Sequence, residues 1–425
     1  MWQRINYLNK SEKQTFAYHI SYFLIEGLIK GILILNEFVL IKSLMGSDYQ
    51  VGFMFQFTVV VLIFSVFCNE VLKRIFNKKR FLRIIAIITR LPLFLLIFFP
   101  DSAEKTAENP VYSYLFLGLF LVYYMANPFI FPTINLFLKA NYRHSNFGKL
   151  YSYSSTANKV IMLISTFLFG LLLDYDNYAF RYIYPMVAVM GMVSIFLLTR
   201  IDYKENPHAM PRKRLLTAMR ESLVNMWHII KTNKPYRDLE IGFMLYGFAW
   251  MSTSAVINIF FERALHLNYS SVAFYKNAYN ILAIVLLPFF GKLIGNIDPR
   301  KFGVYTFLSL MMHLLFMQLT LYFPYHTEVF GLEIYITLIL SYISYGFFAA
   351  TMALLWHIGS AYFCKPEEAG TYQSVHLTLT GLRALYSPLL GVFFYELLGF
   401  SGAFFIGISA LLISILLMYV SMRRH

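Results

Sequence analysis

The residues of this sequence with chemistry to offer are ionisable side chains set inside apolar stretches. Glu26, Lys30 and Glu37 lie within one such run, roughly His19 to Leu44. At about 100° per residue they fall within about 40° of one another on a helix. A polar stripe of this kind is costly against lipid, so it is expected to face a bundle interior or a water-filled cavity. There Glu26 or Glu37, beside Lys30, suits exchange of a proton as hydration changes. The bland alternative is a Glu26–Lys30 ion pair that only staples neighbouring helices. Lys159 lies well inside another apolar run, next to Asn158, and His376 and Arg383 share a face of a third, seven residues apart. Neither Lys159 nor Arg383 has an acid within one or two turns of its own helix. An unpaired cation in a membrane costs several kcal/mol on most scales, roughly 3 or more. An anionic solute gripped by the Arg fork and the Lys point charge would relieve that cost. The alternative is that Glu26 or Glu37 reaches across to Lys159. Asn127, Tyr246, Trp250, Asn280 and Tyr345 are further polar or amphipathic candidates on the same kinds of segment.

The segments that must position these residues are membrane-length. The chain has 425 residues, 58% hydrophobic, 19% aromatic and 14% charged. A soluble domain needs more polar surface than that, so the composition is that of a polytopic all-α membrane protein. The net charge of +14 could suit nucleic acid, but the basic residues sit between apolar runs, a placement that sets topology instead. No cleavable leader is expected at the start. Cys68 and Cys364 are isolated and suggest neither a disulfide framework nor a metal site. No phosphate-cradling loop, metal-ligand spacing or nucleophile elbow is evident, so neither an enzyme nor a resident cofactor is expected.

About twelve spans of roughly 20 residues are expected, six on each side of a basic stretch from Arg200 to Arg237. Lys and Arg concentrate in loops after even-numbered spans and at both ends, which places both termini and the central stretch in the cytoplasm. The expected division is an N-terminal bundle over 1–199, a linker over 200–238 and a C-terminal bundle over 239–425. Within the linker, Leu216, Met219, Leu223, Trp227 and Ile230 recur at helical spacing, which fits either a helix on the membrane surface or a solvated connector. Asn127–Pro128 and Pro132 are expected to kink the fourth span. Arg90, in the third, is expected to snorkel or to pair with an acid such as Glu70. His313 and His357 read as hydrogen-bonded packing residues or as relays.

The two halves are also related to each other. Gly148, Ser152, Thr156, Asn158 and Gly170 can be laid on Gly370, Ser374, Thr378, Thr380 and Gly391 at an offset of about 222 residues, which brings Lys159 and Arg383 to nearly the same depth. This plan resembles the major facilitator superfamily. The loop after the second span carries Lys73, Arg74, Lys78, Lys79 and Arg80 like the superfamily's signature, with Asn69 and Glu70 where a glycine and an aspartate are usual. Its second-half counterpart runs from Gly291-Lys292-Leu293 to Asp298-Pro299-Arg300-Lys301. The resemblance implies a fold of two six-helix bundles and a monomeric secondary transporter of the inner membrane. It would work by alternating access around a midplane site on the first, fourth, seventh and tenth spans. With the charges above, the reading is a proton-coupled symporter for a small organic, anionic solute, its partners being lipid, solute and protons, with no nucleic acid. The alternatives are an exporter or flippase of amphipathic drugs or lipids, a passive uniporter, and a non-transporting scaffold or sensor.

Overall fold

The computed structural model describes all residues except 1–7, 65–67, 69–70, 73, 204–214, 295–296, 365–368 and 425. Helices dominate. Nine described helices are long and apolar enough to cross a membrane, and the last, Val375–Arg424, is long enough for two crossings. The backbone breaks there at Gly399, whose φ of +70° lies in the region that favours glycine. The protein is therefore a multi-pass, all-α membrane protein, as its composition implies.

The contacts group the chain into two units. The first comprises Met1–Gly46 and Phe64–Leu215, and the second Ser47–Ile63 and Leu216–His425.

In the first unit, α1 (Lys10–Leu33) opens with a capping box in which Asn9 and Glu12 satisfy each other's backbone N–H. A short break at Ile34–Leu35 leads to α2 (Asn36–Lys42). After α3 (Asp48–Val60), which groups with the second unit, come α4 (Lys78–Arg90), a 3-10 extension over Leu91–Phe98, the short α5 (Ala103–Glu108) and α6 (Val111–Tyr124). The expected break at Asn127–Pro128 is present: α6 ends at Tyr124 and α7 (Asn127–Asn141) restarts with Pro128 in its first turn. Helices α8 (His144–Tyr175) and α9 (Phe180–Leu198) complete the unit. Helix α1 packs chiefly on α8 and then on α9. The buried core at one end gathers Phe16, Leu82, Phe137, Leu150 and Leu198.

In the second unit, α3 (Asp48–Val60) packs on the later helices. The linker helix α10 (Leu215–Thr232) exposes Leu216, Leu223, Val224 and Trp227 and buries Ile229 against Tyr236, Tyr372 and Val375. Then follow α11 (Lys234–Arg263), α12 (Tyr269–Ile294) and α13 (Pro299–Tyr322). An antiparallel hairpin, β1 (His326–Val329) with β2 (Leu332–Tyr335), turns at the fully exposed Phe330 and Gly331, both with positive φ. Helices α14 (Ile336–Ile358), α15 (Ala369–Ala384) and α16 (Ser387–Arg424) end the chain. The most extensive packing is that of α11 on α16.

Candidate substrate and proton site

Two ionisable groups of the first unit, Glu26 of α1 and Arg90 of α4, lie against α9. The Ser194 hydroxyl donates to Glu26 Oε1 at 2.6 Å. One turn earlier, a Cβ on Gly191 would lie 3.1 Å from Arg90 Cγ and 3.3 Å from its Nε, so the small residue makes room for the arginine. Arg90 is only 2% exposed. It donates to Thr89 Oγ1 at 2.6 Å and lies 4.8 Å from the Tyr123 ring centroid. Arg90 therefore lies inside the unit against an aromatic face, while Glu70, the acid considered for it, lies outside the described residues. Close by in sequence, buried Asn36 accepts from the Tyr184 hydroxyl at 2.7 Å and donates to the Tyr124 hydroxyl at 3.4 Å.

The stripe expected on the first span is divided. Glu26 and Lys30 lie on α1, but Glu37 lies on α2, beyond the break at Ile34–Leu35 that interrupts the 100° phase. Lys30 is exposed and forms no ion pair with Glu26. Glu37 is half-buried and has its own interactions. Lys159 is half-buried on α8 without an ion-pair partner among the described residues, and Asn127 is half-buried at the start of α7.

The second unit brings more of the candidates together. Trp250 Nε1 donates to the Tyr345 hydroxyl at 2.9 Å. The Tyr345 ring meets Tyr279 edge-on at 4.6 Å and His313 at 4.7 Å. His313 Nδ1 is 2.8 Å from Ser341 Oγ, which makes it a hydrogen-bonded packing residue. Buried Asn280 follows Tyr279 on α12 with its Nδ2 unpartnered among the described residues. The side chain of His357 lies outside the described residues.

A denser cluster spans α11, α14 and α15. Arg383 is 1% exposed and donates through Nη1 to the carbonyl of Phe243. Its guanidinium carbon lies 5.0 Å from the Tyr246 ring centroid and 5.8 Å from that of Trp356, both cation–π distances. It runs over Gly247, where any Cβ would overlap it. Its Nε and Nη2 have no hydrogen-bond partner among the described residues. His376, two turns earlier on the same face, is 1% exposed and lies 3.0 and 3.1 Å from the two carboxylate oxygens of Glu240. Its ring meets Trp356 edge-on at 4.3 Å. His376 and Arg383 share a face as their seven-residue spacing suggests, and Tyr246 joins them from α11, whereas Glu240 and Trp356 complete the cluster and were not among the sequence candidates. The available signal for Glu240 was the lone histidine itself, because an imidazole in an apolar run calls for a polar partner.

Comparison with known proteins places this arrangement in context. A search of curated protein sequences finds no match. Among solved structures, the chain is similar to the nucleoside transporter NupG, with a TM-score of 0.67 at 12% identity over 98% of this chain and 99% of that one. It is also similar to a POT family transporter in complex with a thioalcohol-conjugated peptide, with a TM-score of 0.71 at 12% identity over 97% of this chain and 96% of that one. The same family in complex with 5-aminolevulinic acid gives a TM-score of 0.71 at 12% identity, over 97% and 96%. The family profile described as Major Facilitator Superfamily matches residues 15–355. The chain belongs to the Major Facilitator Superfamily.

Proposed function

We propose that this protein is a secondary transporter of the cytoplasmic membrane, with both termini inside, that carries a small organic anion by alternating access and is coupled to protons. The observation that carries the reading is the hydrogen-bonding state of Arg383. Nη1 donates to the Phe243 carbonyl and the Tyr246 and Trp356 rings lie at cation–π distance, while Nε and Nη2 are buried without a hydrogen-bond partner among the described residues. Those two N–H groups form one side of the guanidinium fork, the side that matches a carboxylate or phosphate bidentately. No described carboxylate pairs with this arginine, and Glu240 is engaged by His376. A buried cation with an open fork is costly unless something anionic completes it. Support of a weaker kind comes from the POT structure that holds 5-aminolevulinic acid, an organic acid.

The test is a thermal-shift panel of anionic, neutral and cationic solutes on the purified protein, followed by counterflow in liposomes. An anion is expected to raise the melting temperature and to exchange across the membrane. Arg383→Ala should weaken it tenfold or more, and Arg383→Lys, which keeps the charge but not the fork, should weaken it less. A cationic preferred ligand, or an affinity untouched in Arg383→Ala, would overturn the assignment.

A further inference from the structure

We propose that Glu240 and His376 form the proton-carrying pair of this protein, loaded at His376 Nε2; the coupling part of this rests on the transport reading above, the proton site does not. Both side chains are nearly sealed, Glu240 at 3% and His376 at 1% exposure. An ionised Glu240 carboxylate, with its oxygens 3.0 and 3.1 Å from His376 Nδ1, accepts from that nitrogen and selects the tautomer in which Nδ1 carries the hydrogen. Nε2 then holds the lone pair, and it has no hydrogen-bond partner among the described residues. One proton taken from water onto Nε2 converts the imidazole to imidazolium and the pair's charge from −1 to 0. Its release reverses both.

The surroundings make that change consequential. On α11 the pair is faced by Tyr236 and Tyr246, and on α15 by Arg383, with the Tyr236 hydroxyl itself donating to the Tyr372 carbonyl at 2.7 Å. On α14 stands Trp356, whose indole is 4.3 Å from the His376 ring centroid and 5.8 Å from the Arg383 guanidinium carbon. Arg383 is thus a cation that shares the Trp356 ring with His376. An anion on Arg383 offsets the added positive charge, so anion and proton favour each other's binding. By linkage, the effect is reciprocal. The sign is that of symport: anion affinity rises as the pair is protonated.

Trp356 supplies the readout, because imidazolium quenches an indole it touches and neutral imidazole does so far less. Fluorescence of the purified protein is titrated between pH 5 and 9, and the signal of Trp356→Phe is subtracted. A single quenching step on acidification is expected. It should be absent in His376→Gln. A flat Trp356 signal, or a step that persists in His376→Gln, overturns the pair. In liposomes, an acid-outside gradient should concentrate the panel's transported anion in the parent and not in His376→Gln. Accumulation by His376→Gln equal to the parent also overturns the proposal. A step with no anion transported at all would sink the transport reading and leave the proton site standing.

Discussion

Arg383 makes in the second unit the contact that Asn158 makes in the first. Asn158 Nδ2 donates to the Phe23 carbonyl at 2.6 Å, and Arg383 Nη1 donates to the Phe243 carbonyl. Each acceptor lies four residues before a glycine, Gly27 or Gly247, that leaves no room for a Cβ. The repeat farther along is similar: the Thr166 hydroxyl donates to the Gly31 carbonyl at 2.8 Å, and Gly391 lies against the Ser252 carbonyl.

The two glycines nonetheless differ in what opposes them, and that gives a prediction. At Gly27 the obstacle is the backbone of Asn158, whereas at Gly247 it is the flexible Arg383 side chain. Gly27→Ala and Gly247→Ala should each destabilise by roughly 1–3 kcal/mol, the range for overpacking. Adding Arg383→Ala should restore much of the melting temperature of Gly247→Ala, while Asn158→Ala should not rescue Gly27→Ala. Equal rescue in both, by thermal denaturation in detergent, would contradict the geometry.

Much of this was legible in the sequence because helix phase is local. The seven-residue spacing put His376 and Arg383 on one face, and Asn127–Pro128 marked a break that is present. Partners are a long-range property. Glu240 stands 136 residues from His376, at the very start of the C-terminal bundle expected over 239–425. The helix in fact starts at Lys234, which carries Glu240 well into the buried part. The stripe of Glu26, Lys30 and Glu37 misled for the opposite reason. A count of 100° per residue assumes an unbroken helix, and no proline or glycine announces the turn at Ile34–Leu35. The internal repeat laid Asn158 on Thr380 and brought Lys159 only to nearly the depth of Arg383, yet Asn158 makes the contact equivalent to that of Arg383, a drift of about three residues from the repeat offset that similarity of sequence alone does not resolve.

The mouth of α3 should respond to acid. Asp48 is buried at the helix start, 2.8 Å from Arg263. Burial raises its pKa above the ordinary carboxylate value; Arg263 pulls the other way, and Glu396 adds to the rise. A raised folded-state pKa contributes stability that is present below the unfolded value and lost as pH rises through the folded one. The melting temperature of the parent relative to Asp48→Asn should therefore increase on acidification from pH 7 toward the carboxylate range. A difference that shrinks over that interval would show that Arg263 outweighs burial.

Trp250 and Tyr345 should behave as a unit. Tyr345→Phe leaves the half-buried Trp250 N–H without its acceptor, at about 1 kcal/mol. Trp250→Phe in the same protein should recover part of that loss. Additive losses in the double variant would mean that the bond contributes nothing.

Orientation can be read with cysteines in a background where Cys68 and Cys364 are replaced by alanine. Phe330→Cys, at the hairpin tip, should react with an impermeant maleimide added outside intact cells. Glu221→Cys, exposed on α10, should react only after permeabilisation. The reverse pattern would invert the assigned topology.

The grouping of Ser47–Ile63 with the second unit has a consequence for how the chain is made. Gln56 donates to the carbonyl of Leu385, 329 residues further on, and Asp48 pairs with Arg263. At about 5–20 residues per second, a ribosome needs roughly a quarter of a minute to a minute to travel between Gln56 and its acceptor. For that interval Gln56 of α3 is without its acceptor. The N-terminal fragment ending in the linker should consequently be retained by quality control when made alone, and be rescued when the remainder of the chain is supplied in the same cell.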